Sequence, residues 1–130
     1  MPTQAEAAKA RDVLWSDASE HSPEYVQAVR TICSAVESGA IEFAGVAAEA
    51  LAFDGPHHDA ARAYVYYYLA YSQEGCSVAW ANEVDESNHY MGPVGDFRNE
   101  AIVSDLVAEL GVSALHALDL RAAELLRHGL

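Results

Sequence analysis

The sequence predicts an all-helical, single-domain protein over residues 1–130, with six to seven antiparallel helices arranged as an αα-hairpin array or a compact helical bundle. Three observations carry that expectation. Apolar residues recur at helical spacing in successive segments, most of those segments are bounded by helix start and stop residues, and no stretch alternates convincingly at period two. The length suits one core, since two independent cores in 130 residues would each be marginal. With 52% apolar and 21% charged residues, the chain can fill that core and keep its outside wet.

The first helix is announced by Thr3 and Glu6, which have capping-box spacing, and Val13 with Leu14 supplies its apolar side. Ser22-Pro23-Glu24 starts the second with a capping hydroxyl, a proline at the first helical position and a carboxylate near the positive dipole end. Val26, Val29, Cys33 and Val36 follow at helical spacing, and Gly39 is placed to end it. A third helix is expected over 41–53, with Val46, Ala47, Ala50 and Leu51 inward, before Asp54-Gly55-Pro56 breaks it.

The fourth helix, expected over about 58–74, carries Tyr64, Tyr67, Tyr68 and Tyr71 at i, i+3, i+4 and i+7 on one face. Val65 and Leu69 lie on another face, and Tyr66 falls between. A helix apolar nearly all round is packed by neighbours on several sides, so this one belongs at the centre of the fold. The stripe reads first as core, with one or two hydroxyls reaching a groove, and Tyr67 and Tyr71 are its candidates for contact with a partner.

Gly75 ends that helix. Residues 76–95 are the least regular, and Asp96 can cap the first of two closing helices. Ile102, Val103, Leu106, Val107 and Leu110 form its apolar face. Gly111 separates it from the last helix, with Leu115, Leu118, Ala122, Leu125 and Leu126.

Residues 41–75 resemble one unit of the Sel1-like or tetratricopeptide-like repeat families. The matching residues are Ala48 and Leu51 in the first helix, Gly55-Pro56 and Asp59 at the turn, and Ala63, Tyr66, Ala70 and Gly75 in the second. The resemblance implies helix pairing and a scaffold that binds proteins or peptides; it does not imply which.

Seven basic residues against twenty acidic ones give a formal charge of −13, spread along the chain and densest in 76–100. Nucleic-acid binding works through Lys and Arg neutralising phosphates, so this balance argues against it, as it does against anionic membranes. Basic proteins would be steered toward such a surface. No stretch reaches the length of a membrane span, and the N-terminus lacks a basic region followed by an apolar run, so a cytoplasmic location is expected. Cys33 and Cys76 lack a CxxC partner, which points to free thiols in a reducing compartment.

Motifs for catalysis are sparse, and the expectation is a protein that is not an enzyme. No Gly-x-Ser-x-Gly elbow, Walker-type loop or dinucleotide fingerprint occurs. Glu86 and His89 have Glu-x-x-His spacing, but a di-iron bundle needs two such motifs plus two further carboxylates. His57-His58-Asp59 reads as a helix start beside a turn. No cofactor and no metal are therefore expected, and a metal-dependent enzyme is the least favoured alternative.

The segment 80–91 is the favoured contact region. Long irregular excursions in compact proteins are disproportionately functional, and this one joins Trp80, Tyr90 and Met91 to Glu83, Asp85 and Glu86, with His89 among them. Aromatic anchors among acids suit a basic partner with an apolar pocket. In general character the chain is similar to small acidic bacterial immunity proteins, which implies neutralisation of a basic toxin by occluding its active site. The alternative is a helical-repeat adaptor that holds a peptide beside helix 58–74.

Overall fold

The computed structural model describes residues 2–73 and 101–129, and every regular element among them is helical. In chain order these are α1 (Gln4–Leu14), α2 (Pro23–Glu37), a 3₁₀ turn (Ile41–Phe43), α3 (Ala44–Ala52), α4 (Ala60–Gln73), α5 (Ala101–Leu110) and α6 (Val112–Gly129). The predictions for Gly75, for residues 76–95, and for Cys76 and Asp96 lie outside the described residues.

The helix ends follow local chemistry. The Thr3 hydroxyl accepts from the Glu6 amide at 3.1 Å while the Glu6 carboxylate accepts from the Thr3 amide at 3.0 Å, completing the expected capping box. The Ser22 hydroxyl accepts from the Tyr25 amide at 3.2 Å, with Pro23 as the first helical residue. Gly39 adopts φ 112°, a left-handed conformation that lets the chain leave α2. Gly111 does the same between α5 and α6 with φ 84°.

Two boundaries differ from expectation. The segment 41–53 is not one helix: it opens as the 3₁₀ turn Ile41–Phe43 before relaxing into α3, because Ile41 and Phe43 both turn inward and become buried. The fourth helix begins at Ala60, two residues later than expected. Asp59 is its cap, with its carboxylate accepting from the Arg62 amide at 3.1 Å, and the Asp59 amide donates back to the Leu51 carbonyl at 2.9 Å. His57 and His58 are thereby left in the turn.

α4 lies at the centre, as its sequence predicts. It packs against α3, the 3₁₀ turn, α5 and α6, and Tyr64, Val65, Tyr66, Tyr67 and Leu69 are all buried. α3 and α4 run antiparallel, since the start of α3 (Gly45) lies against Ala70 near the end of α4, while Leu51 meets Asp59 at the turn. The core also draws on α2 (Ile32, Cys33, Val36), α5 (Val103, Leu106) and α6 (Leu115, Ala122, Leu125), with smaller side chains from α1 and α3. Each large aliphatic side chain so buried contributes about 1.5–3 kcal/mol relative to exposure. Among the described residues no helix is long and apolar enough to cross a membrane.

Candidate functional site

Among the described residues the core leaves two large aromatics uncovered, and both stand where a helix gives way to a turn. Trp15 follows the last residue of α1, its amide donating to the Arg11 carbonyl at 3.0 Å, and its side chain is 64% exposed. Phe53 follows α3 with an extended backbone (ψ 145°) ahead of Asp54-Gly55-Pro56, and it is 58% exposed.

Trp15 and Phe53 flank one hollow, of about 240 Å³, that is also lined by Leu14, Tyr25 and Val46. A second hollow of about 500 Å³ continues from it toward α4, where Tyr67, Ala70 and Tyr71 form the wall. Trp15, Val46 and Glu49 line both, so the two hollows adjoin at these side chains as a groove over α3. Gly45 forms part of its floor; a methyl group there would sit 3.8 Å from the Ala70 Cβ, in ordinary contact.

The charged groups of the groove are Glu49, Glu42 and Arg11. The Arg11 guanidinium lies 5.3 Å from the Trp15 ring centre and 5.8 Å from that of Phe43, within cation–π range of both. Burial, with Glu49 and Tyr71 nearby, pushes the Tyr67 hydroxyl up to about 12, so it stays a neutral donor at any physiological pH.

A polar cluster on the other side of α4 holds the bundle together. The Glu37 carboxylate accepts from Arg62 Nη2 at 2.7 Å, from the Tyr66 hydroxyl at 2.9 Å and from Arg121 Nη2 at 3.0 Å, so α2, α4 and α6 meet on one side chain. Partial burial raises the Glu37 carboxyl, but the hydrogen bonds from Arg62, Tyr66 and Arg121 outweigh it and hold the group below its ordinary value. Burial pushes the neighbouring Cys33 thiol up, the opposite of what an activated nucleophile requires. The cluster is a brace, in which one carboxylate is shared by two guanidiniums.

No protein-family model, no curated protein and no solved structure matches this chain. The site therefore stands on its own geometry.

Of the residues singled out from sequence, Tyr67 and Tyr71 fall in this groove, together with Trp15 and Glu49. Tyr67 is buried and Tyr71 half-buried, and both line the groove, while Tyr64 belongs to the core, as does Tyr66 beside the stripe. Trp80, Glu83, Asp85, Glu86, His89 and Tyr90 lie outside the described residues. His57-His58-Asp59 is a fastened turn, with His57 Nε2 2.8 Å from the Glu20 carbonyl and Asp59 capping α4. Among the described residues no group of three or more His, Cys, Asp or Glu is placed to hold a metal ion.

Sequence reasoning missed Trp15, Phe53 and Glu49. A signal was present: both aromatics sit at helix ends beside polar turns, where no following helical turn can cover them.

Proposed function

We propose that this chain is a protein-binding module that receives a basic partner along the groove over α3. The observation that carries this is the exposure of Trp15 and Phe53 on one hollow that shares Trp15, Val46 and Glu49 with a second, in whose walls Glu42 also stands. Exposed aromatics grouped around a concave surface are the usual anchors of protein interfaces. The formal charge of −13 adds long-range attraction for a cationic surface.

The finer reading is an immunity or antitoxin-type protein that neutralises a basic toxin by covering its active site. Small size, strong acidity and the scarcity of catalytic motifs support it, and the acid-rich segment 80–91 would supply charge that mimics an anionic substrate. On this reading the protein is not an enzyme and needs no cofactor. A second reading, an adaptor that holds a peptide beside α4, is favoured by the presence of Tyr67 and Tyr71 in the groove wall.

The test is calorimetric titration of a basic partner protein, first isolated by capture on the tagged full chain, against wild type, Trp15→Ser and Phe53→Ser at low and high salt. Both substitutions remove exposed side chains and should change stability by no more than about 0.5 kcal/mol. Binding weakened at least about tenfold in both variants, and weakened further by salt, is the expected result. Unaltered affinity in both variants would put the interface elsewhere. Salt-insensitive binding that depends on Tyr71 would favour the adaptor.

A further inference from the structure

We infer that the α4 end of the groove is a receptor for one arginine side chain of the partner, seated between the rings of Trp15, Tyr67 and Tyr71 with Glu49 as its counter-ion. This rests on the proposed binding of a basic protein and names the group that the groove takes.

The first argument is composition. Three aromatic side chains and two carboxylates, Glu42 and Glu49, line one hollow of about 500 Å³. Ring faces attract cations through their quadrupole, and a carboxylate beside them adds a counter-charge. Apolar walls alone would take any aliphatic side chain; rings with carboxylates select a cation. A flat guanidinium uses such rings better than an ammonium does, because it can stack while its edge hydrogen-bonds to the carboxylate.

The second argument is a guanidinium that the chain itself already places here. Arg11 stacks between Trp15 and Phe43, its Nε is buried without a hydrogen-bond partner, and its ion-pair contact, with Asp12, is a long 3.7 Å. Two ring faces thus receive a cation whose one carboxylate contact is too long for a hydrogen bond. Asp12 offsets the charge of Arg11, leaving Glu42 and Glu49 to set the sign of the hollow.

The third argument is that Glu49 is uncommitted. It is exposed and makes no hydrogen bond or ion pair among the described residues, whereas Glu37, Glu109 and Glu124 all do. Burial is the main cause that raises the neighbouring Tyr67 hydroxyl, and the Glu49 charge adds to it.

Nα-acetyl-arginine amide is the probe, titrated into full-length Trp80→Phe protein so that the fluorescence reports Trp15 alone. Saturable quenching is expected, with the citrulline analogue, isosteric but uncharged, producing none. Glu49→Gln should weaken the probe about fivefold and Tyr71→Leu by a similar factor, with unchanged circular dichroism. No saturable response, an equal response to citrulline, or indifference to Glu49→Gln would overturn the inference. Equal affinity for the lysine analogue would overturn the choice of arginine. If the probe fails while a basic protein still needs Trp15 and Phe53, the arginine seat is wrong and the binding module stands; if that protein is also indifferent to both, the module reading falls with it.

Discussion

His58 Nε2 lies 2.8 Å from the Glu109 carboxylate, and this contact ties the turn between α3 and α4 to α5, fifty-one residues further along the chain. The other ring nitrogen, Nδ1, lies 3.2 Å from the Ala52 carbonyl. A carbonyl and a carboxylate can only accept, so both nitrogens must donate, and the imidazole that satisfies both is the charged form. The hydrogen bond with Glu109 accordingly holds His58 above its ordinary value of 6.5, against the opposing effect of burial.

The clasp makes stability depend on pH in one direction. Because the folded-state value is raised, the contribution is fully present below the unfolded value near 6.5 and is lost as pH rises through the folded one. The melting temperature of wild type should therefore exceed that of Glu109→Gln most clearly below about pH 6, with the gap closing as pH climbs past the folded His58 value. A gap that stays constant from acid to alkaline pH would show that His58 does not charge in place.

Removing the brace at Glu37 should be costly. Glu37→Ala leaves the buried Tyr66 hydroxyl with Arg62 as its neighbour and sets two guanidiniums near each other without their shared carboxylate. A loss of about 2 kcal/mol in urea unfolding is expected, kept from being larger by the partial exposure of the charged groups. Glu37→Gln, which keeps the shape, should lose about 1 kcal/mol. Since the folded carboxyl lies below its ordinary 4.5, its contribution is present above that value and disappears as pH falls through the folded one. Equal stability of Glu37→Ala and wild type would mean that the three helices are held by apolar packing alone.

Gly111 isolates a backbone effect. A Cβ there would meet nothing within 4 Å, yet φ is +84°. Gly111→Ala should therefore lose about 1 kcal/mol through conformation and not through collision, and Gly111→Asn should lose less because Asn tolerates the left-handed region. Thermal unfolding of both variants checks this; identical losses would point to some cause other than φ.

Much of the fold was legible because the signals are local. The capping box of Thr3 and Glu6, the Ser22-Pro23 start, the Gly39 and Gly111 stops and the all-round apolar surface of α4 all concern residues within a few positions of one another. The late start of α4 was not legible, since His57 and His58 are held out of the helix by partners remote in sequence, the Glu20 carbonyl and Glu109. Tyr66 is similar: its register places it between faces, but Glu37 from α2 draws its hydroxyl into the brace.

The sequence by itself determined an all-helical chain with α4 at its centre and an excess of negative charge, because periodicity, caps and composition act at short range or as totals. Only the tertiary structure decided which aromatics would stay outside. Tyr64 disappears under its neighbours, while Trp15 and Phe53 remain open around one hollow and Trp15 shares a second with Tyr67 and Tyr71. The physical reason is that burial depends on which helices come to lie on either side of a residue, and that is set by the packing of the whole chain.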